Sequence, residues 1–463
     1  MNNPPIVGRG RTPSARFPGF GAGAGAVAVA AAVAVFATFG LAGCQGASVT
    51  PTALVSGAAP TPTTIPSPTS SASGVEPSAT PTAAPSASTS GITASPTPKP
   101  APTPKPGTFT FTGSMGQARW FHTATLLKNG LVLIAGGASG SAAAQAELYN
   151  PATGTFSPTG SMKVARSHHT ATLLNDGRVL ITGGVNASLA VLASAEIYNP
   201  STGTFTLTNP LLTGRAYHTA TLLPNGTVLI AGGRNAAGGY LQAAETYSPT
   251  SGLFSSTGGL NDARGWHTAT LLADRRVLVV GGANSSGVLA SAEIYNPSTG
   301  AFTTAGSMDQ SRGGAAASLM PNGDVLVSAG YAYCPGANPV PSSMACIDTS
   351  LTTAEIFHPA TGVFTKTVGP LAVGRGAATL TMASALLPDG RVLVPGGGLH
   401  SGSSLVSAEL FNPSTGKFSA AGAMKEARSC HTVTKLPNGK VLVTGGYDGD
   451  TGYVLATAEL FSV

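Results

Sequence analysis

The chain has 463 residues, of which only 9% are charged and 61 are glycine, and its formal net charge is +6. Arg9, Arg11 and Arg16 carry half of that charge and the residues up to 106 add one more, which leaves +2 on residues 107–463. So small a charge provides no basic stripe that could neutralise a run of phosphates, and it argues against nucleic-acid binding.

Residues 1–44 are typical of an export signal. Basic residues precede a stretch from Phe20 to Gly43 that is built almost wholly from alanine, glycine, valine and phenylalanine. Its end, Leu41-Ala42-Gly43-Cys44, resembles the cleavage box of bacterial lipoproteins, which implies a lipid on Cys44. An uncleaved transmembrane anchor is the alternative. Either way, we expect the rest of the chain to lie outside the cytoplasm, held at the membrane of the cell surface.

Residues 45–106 are mainly proline, threonine, serine and alanine, with almost no large apolar side chains. Such a segment cannot bury enough surface to offset the entropy of ordering it. We therefore predict a disordered, extended linker that lifts residues 107–463 away from the membrane.

One pattern recurs seven times from residue 107 onward, and each copy predicts four short antiparallel strands. Asn129-Gly130 predicts a hairpin turn with positive φ at both residues, and Asp274-Arg275 in the fourth copy predicts a strained turn or another type. In the first copy, strands A to D are predicted over His122 to Leu127, Val132 to Gly137, Ala146 to Asn150 and from Thr155 onward.

Each copy has a Gly-Gly doublet after strand B, which is Ala329-Gly330 in the fifth copy. This doublet and the period of about 48 residues are similar to those of kelch repeats. The resemblance implies an all-β fold, a seven-bladed kelch-type β-propeller over residues 107–463. Thr108-Phe109-Thr110 has the pattern of strand D, while the last copy ends at strand C with Glu459-Leu460-Phe461. We therefore expect the N-terminal strand to complete the last blade and close the ring. The doublets begin at Gly136, Gly183, Gly232, Gly281, Ala329, Gly396 and Gly445.

Charged and imidazole side chains recur at fixed positions. An arginine opens each copy and a glutamate marks each strand C, which predicts structural ion pairs rather than a catalytic carboxylate. Arg375 lies four residues farther from its doublet than the others, which predicts a bulge or longer loop. Five copies carry a histidine at one position of strand A, which we interpret as framework rather than as a metal site. These histidines are His122, His169, His218, His267 and His431.

The remaining cysteines predict one disulfide. Cys334 and Cys346 lie in a single insertion between Tyr331 and Thr353, where an oxidising exterior would allow them to pair and brace a partial lid. Cys430 lies inside a repeat.

Aromatic side chains concentrate on the face of the B–C and D–A loops, which vary from blade to blade. Rings with polar tips suit flat polar ligands such as sugars, or a protein surface. Packing of the tryptophans between blades is the alternative. The predicted ligand-binding residues are Trp120, Phe121, His168, Tyr217, Tyr240, Trp266, Tyr331, Tyr333, Tyr447 and Tyr453.

Part of the third copy, Gly214-Arg215-Ala216-Tyr217-His218, resembles a copper-binding segment of copper-radical oxidases of the galactose oxidase type. If copper binds, the resemblance implies Tyr217 and His218 as ligands. Cys430 occupies the position of that family's cross-linked cysteine, but the following blade has Phe121 where the partner tyrosine belongs. The resemblance also implies a further domain that donates a histidine, and we expect no counterpart of it in residues 107–463.

We therefore predict a binding platform for a glycan or a protein ligand, acting as a monomer without a cofactor and without nucleic acid. The alternative is an enzyme, either a galactose oxidase-like carbohydrate or alcohol oxidase with copper or a sugar mutarotase that uses arginine and glutamate at the channel. The residues identify neither the ligand nor any reaction.

Overall fold

The fold was analysed in a computed structural model that describes residues 106–333, 347–376 and 382–463. Seven four-stranded antiparallel sheets follow one another along these residues, and no helix occurs among them. The predicted all-β, seven-bladed propeller is confirmed. Within the described ranges, no helix has the length and apolar character that crossing a membrane requires.

Each blade is built from strands A, B, C and D in chain order, except that strand D of blade seven comes from the N-terminal side. Blades one to three comprise Thr123–Leu126, Val132–Ala135, Ala146–Asn150 and Thr155–Pro158; Thr170–Leu173, Val179–Thr182, Ala195–Asn199 and Thr204–Leu207; Thr219–Leu222, Val228–Ala231, Ala244–Ser248 and Leu253–Ser256. Blades four and five comprise Thr268–Leu271, Val277–Val280, Ala292–Asn296 and Ala301–Thr304; Ala316–Leu319, Val325–Ser328, Ala354–His358 and Val363–Lys366. Blades six and seven comprise Ala385–Leu386, Val392–Pro395, Ser407–Asn412 and Lys417–Ala423; Thr432–Lys435, Val441–Thr444, Ala458–Ser462 and Thr108–Phe111.

The ring closes in blade seven. Strand Thr108–Phe111 pairs antiparallel with Ala458–Ser462, so that Phe109 lies opposite Phe461. The two rings contact each other at a centroid distance of 4.8 Å, and both side chains are buried. The unpaired N–H and C=O groups at an open strand edge can pair with another chain, and Thr108–Phe111 covers those of Ala458–Ser462.

Strand A is the innermost strand of every blade, because each strand A contacts the strands A of both neighbouring blades around the ring. The hydrophobic core lies between blades rather than within them. One cluster combines Leu133 and Ala146 of blade one with Ile181, Tyr198 and Phe205 of blade two. Strand B is buried on both faces, and in blades one and two its first three residues are valine, leucine and isoleucine, as such burial requires.

The doublet after strand B is needed for the contact between blades. Gly136 has a φ of 62°, and a Cβ atom there would lie 2.5 Å from the carbonyl oxygen of Arg166 in the next blade. The N–H of Gly137 donates to that same carbonyl at 2.9 Å. Glycine is therefore required by both the backbone angle and the close approach.

The A–B turns differ from the predicted two-residue type. In blade one, Leu127 and Leu131 flank a three-residue loop in which Gly130 alone has a positive φ, of 83°. The Asn129 side chain accepts a hydrogen bond from the N–H of Leu131 at 3.1 Å. This is a type I turn followed by a left-handed residue, which needs only one positive φ. In blade four, Arg275 takes that place with a φ of 74°, so the turn type is unchanged and the predicted strain is present.

Replacing Arg275 with glycine should therefore stabilise the protein. The left-handed conformation costs a non-glycine residue about 1–2 kcal/mol, and the extra freedom of glycine in the unfolded chain offsets part of this. We expect the free energy of unfolding to rise by about 0.5–1 kcal/mol in urea titrations. The matched control is Gly130→Arg, since a Cβ atom at Gly130 meets no atom within 4 Å. That variant should lose stability, and a loss in Arg275→Gly would contradict the assignment.

Three B–C loops begin with short two-stranded ribbons, and one of them belongs to the blade-five insertion. Tyr331–Tyr333 pairs with Ile347–Ser350, while Ala283–Asn284 pairs with Gly287–Val288 and Tyr447–Asp448 with Tyr453–Val454. The predicted Cys334–Cys346 disulfide lies outside the described residues, as do Cys44, the predicted signal peptide and nearly all of the predicted linker.

Candidate functional site

The repeated arginines and glutamates form buried ion pairs inside the blades. All seven arginines are fully buried, and each donates to the glutamate on strand C of its own blade at 2.5–2.9 Å. Their predicted structural role is confirmed. The pairs are Arg119–Glu147, Arg166–Glu196, Arg215–Glu245, Arg264–Glu293, Arg312–Glu355, Arg375–Glu409 and Arg428–Glu459.

Blade two shows what each pair connects. Arg166 donates to the carbonyl oxygens of Gly183 and Ser194 at 2.8 and 2.9 Å, and so joins the end of strand B to the start of strand C. Glu196 accepts from the N–H groups of Lys163 and Val164, at 2.7 and 3.0 Å, in the loop that enters the blade. Both charged groups thus bond to each other and to the backbone of their own blade. Arg375 contacts the equivalent groups of blade six. The bulge or longer loop predicted after it falls on residues 377–381, which lie outside the described residues.

The strand-A histidines are also framework residues. They lie just before strand A and are buried, and four of them bond through Nε2 to threonine hydroxyls of the preceding blade. His218, for example, bonds to Thr170 and Thr182 at 3.1 and 3.0 Å. In blade six, Ala383 and Pro395 provide no hydroxyl for His431. Burial lowers the pKa of His267 and of His431 to about 3. We conclude that these imidazoles are neutral at pH 7.

Acid should destabilise the protein through these histidines. Because the folded pKa of His267 lies below the ordinary 6.5, the unfolded chain binds the proton first, and stability is lost as the pH falls from about 6.5 toward 3. At pH 4.5 this one residue should account for about 2–3 kcal/mol. Urea titrations at pH 7 and at pH 4.5 measure how much stability the protein loses between these two pH values. His267→Gln should reduce that loss by about 2–3 kcal/mol relative to the wild type. His400→Gln, which removes an exposed imidazole, should leave it unchanged. If His267→Gln and the wild type lost equal stability between pH 7 and pH 4.5, this account would be refuted.

In each blade, one residue directly precedes the strand-A histidine position, and together these residues form a ring around the central channel. We call the six described members the channel ring: Phe121, His168, Tyr217, Trp266, Gly314 and Cys430. All six have positive φ, between 51° and 60°. In blades one to five, the N–H of each member donates to the carbonyl oxygen of the member in the preceding blade, at 2.8–3.4 Å. The backbone of the channel ring is therefore a belt of hydrogen bonds that holds these side chains in fixed directions.

Large side chains in this conformation carry strain. A left-handed backbone costs a non-glycine residue about 1–2 kcal/mol, and blade five avoids the cost with Gly314. Four consecutive blades nevertheless keep an aromatic ring there, in Phe121, His168, Tyr217 and Trp266. Strain of this kind persists only where the surroundings enforce it, and it is concentrated at functional sites.

The aromatic side chains of this face form one continuous series of contacts. Neighbouring ring centroids are 3.9–6.0 Å apart. We call the series the aromatic arc: in order, Tyr447, Trp120, Phe121, His168, Tyr217, Trp266 and Tyr240. The structure thus brings together seven of the ten residues predicted to bind ligand.

The arc borders a cavity on the channel. This cavity has a volume of about 230 Å³ and is lined by Phe121, His168, Tyr217, Trp266 and the histidines beneath them. A second cavity of about 280 Å³ shares Phe121 and is lined by Cys430. Burial lowers the pKa of His168 to about 3 and raises that of Tyr217, so both rings are neutral at pH 7. The site therefore presents apolar faces with uncharged polar tips.

The arc as defined above does not include the other three predicted residues. Tyr331 is buried, with its ring over the backbone of Gly313. Tyr453 is half-buried in the ribbon of blade seven, where it pairs with Asp448. The strand that contains Tyr333 is described, but its side chain is not.

Sequence reasoning did not select Arg234, which follows the doublet of blade three. Its guanidinium carbon lies 5.2 Å from the ring centroid of Tyr240 and 5.6 Å from that of Trp266. The only signal in the sequence is that a charged residue follows the doublet here, where the other blades have Ala, Val, Tyr or Gly.

Residues 267–309, which span most of blade four, match the family model of the Kelch motif. The chain is a seven-bladed β-propeller with a Kelch motif in its fourth blade. Among solved structures, this propeller is similar to one described as a novel fungal alcohol oxidase with catalytic diversity among the AA5 family, in complex with copper. The TM-score is 0.56 and the identity 17%, over 77% of this chain and 76% of that one, which shows a shared fold alone. No curated protein sequence matches the chain.

The residues of this propeller do not fit the copper centre implied by the resemblance to galactose oxidase. Nε2 of His218 is engaged by two threonine hydroxyls of blade two, and Phe121 follows Cys430 around the ring without a phenol oxygen. In the described part of the chain, no group of three or more histidine, cysteine, aspartate or glutamate side chains could hold a metal ion. We derive no oxidase chemistry for this site.

Proposed function

We propose that the kelch propeller is a cell-surface binding module that takes a saccharide at the channel mouth, against the aromatic arc. The observation that carries this proposal is the strained aromatic residue supplied by each of four consecutive blades, all of which line one cavity. Sugar rings bind such surfaces because their C–H faces pack on aromatic rings while their hydroxyls bond to polar tips.

The shape of the site favours a saccharide over a protein ligand. The cavity of about 230 Å³ is concave and bordered by rings on several sides. Small-molecule sites are typically about 300–1,000 Å³, whereas a stable protein interface needs a patch of about 800 Å² on each partner. A cavity just below the small-molecule range admits one or two sugar units, and the rest of the glycan would extend across the loops.

Removing a single ring of the arc should weaken this binding. Trp266→Ala and Tyr217→Ala remove neighbouring rings whose centroids are 4.5 Å apart, and we expect each to weaken glycan binding on an array by at least tenfold. Phe111→Ala is the matched control, because that ring lies on the outermost strand of blade seven and is 54% exposed. If both arc variants bind glycans as the wild type does, or if no glycan binds at all, the proposal fails.

Anchoring at the membrane is a separate part of the proposal. It is supported by the sequence Leu41-Ala42-Gly43-Cys44 behind an apolar stretch, which lies outside the described residues. We expect labelled palmitate to be incorporated into the wild-type protein and not into Cys44→Ala. Label in both proteins would exclude Cys44 as the lipid site.

A further inference from the structure

We infer that Arg234, Tyr240 and Trp266 form a carboxylate subsite, so that the ligand of the channel mouth is an acidic saccharide such as a uronic acid unit. The inference rests on the proposed saccharide binding and adds the chemical class of the ligand. We call these three residues the Arg234 subsite.

The backbone holds Arg234 rigidly beside the arc. Arg234 forms bridges with Ala216 on one side and with Tyr240 on the other. A tight loop between Arg234 and Tyr240 is closed by the N–H of Asn235, which donates to the carbonyl oxygen of Gly239 at 2.9 Å. Since Ala216 directly precedes Tyr217, the guanidinium is fixed next to the channel ring.

The side chain of Arg234 is oriented in turn. Its Nε and Nη2 donate to the carbonyl oxygen of Gly238 at 3.1 and 2.8 Å. Its aliphatic part passes over Gly265, where a Cβ atom would lie 3.5 Å from Cγ of Arg234. The guanidinium therefore lies near two aromatic rings, of Tyr240 and of Trp266 in the next blade, at distances that allow cation–π attraction.

Among the described side chains, no carboxylate neutralises this guanidinium. Among the twelve arginines of the described ranges, ten form an ion pair with aspartate or glutamate, and only Arg234 and Arg275 do not. Arg275 lies in an A–B turn on the opposite face. Of the five N–H donors of Arg234, two are engaged by Gly238, which leaves three, including both of Nη1, for a ligand.

A second observation, on the Trp266 ring that lies beside Arg234, also points to a ligand. Trp266 is only 6% exposed, and its Nε1 has no hydrogen-bond partner among the described residues. An indole N–H buried without an acceptor is costly and normally finds one. A planar carboxylate accepts from several donors and matches the fork of a guanidinium, whereas a neutral sugar gives no charge for Arg234 to pair with.

The subsite can be tested by fluorescence, because Trp120 and Trp266 are the only tryptophans. In the full-length protein with Trp120→Phe, titration with a galacturonate disaccharide should change the emission of Trp266, and the matched neutral galactose disaccharide should bind at least tenfold more weakly. A sulfated galactose disaccharide distinguishes a carboxylate site from a general anion site, and tighter binding of the sulfated sugar would overturn the inference. The affinity for the acidic sugar should fall as salt is raised.

Variants of Arg234 separate this inference from the proposed function. Arg234→Gln should weaken binding of the acidic disaccharide about ten- to hundredfold and leave binding of the neutral one unchanged. Arg234→Lys keeps the charge but lacks the paired N–H donors of a guanidinium, so it should lose part of the affinity for the acidic disaccharide. Arg275→Gln is the matched control and should bind as the wild type does. If arc variants lose glycan binding while acidic and neutral sugars bind equally, the subsite is wrong and the proposed function stands. If no sugar of either kind binds, both are wrong.

Discussion

Arg166→Leu should lower the free energy of unfolding by about 3–5 kcal/mol, because it leaves the buried carboxylate of Glu196 without a counter-charge. Both side chains are fully buried, and Arg166 Nη2 lies 2.9 Å from Glu196 Oε1. The variant also removes two hydrogen bonds to the carbonyl oxygens of Gly183 and Ser194. Urea titration with a two-state fit measures the change.

The same blade offers a control for that experiment. Arg178 pairs with Asp176 at 2.7 Å, but the two side chains are 38% and 43% exposed. Solvent-exposed pairs of this kind contribute at most about 1 kcal/mol. Arg178→Leu should therefore change the stability little. If Arg166→Leu and Arg178→Leu lost equal free energy of unfolding, the buried pair would not stabilise its blade more than an exposed pair does.

Phe109→Ala should lower the free energy of unfolding by about 3–5 kcal/mol, the usual cost of removing a buried aromatic side chain. Phe109 lies in strand Thr108–Phe111, is 3% exposed, and packs on Phe461 within the cluster between blades six and seven. Because this strand covers the edge of blade seven, its loss should also promote association between chains. Urea titration and size-exclusion chromatography measure the two effects.

Phe111 is the control within the same strand. Its side chain is 54% exposed, and Phe111→Ala should change the stability by no more than about 0.5 kcal/mol. If Phe109→Ala were as stable and as monomeric as Phe111→Ala, the closure of the ring by the N-terminal strand would carry no energetic weight.

The fold was predictable because the same sequence pattern recurs seven times. Apolar strands, turn residues and doublets recur in register, and the strands predicted in the first copy lie within one or two residues of those in the structure. The turn type was less accessible, since Asn129-Gly130 suits both a two-residue and a three-residue loop. What decides between them is the pairing of Leu127 with Leu131 across the hairpin, which the sequence does not state.

The candidate site was predictable only in part. Aromatic residues on variable loops could be recognised, and seven of the ten lie in one arc. The left-handed backbone of the channel ring left no signal, because its members range from Trp266 to Gly314 and the hydrogen-bond belt uses main-chain atoms. Arg234 was also hidden, since its surroundings come from a tight loop and from the next blade.

The proposed site at the channel mouth can be tested most directly by a crystal structure of the protein soaked with an acidic oligosaccharide. The proposal predicts a sugar ring packed within about 4 Å of Tyr217 or Trp266, with its carboxylate on Arg234. A sugar bound instead at the A–B turns or along the outer strands, with the channel mouth left to solvent, would contradict it.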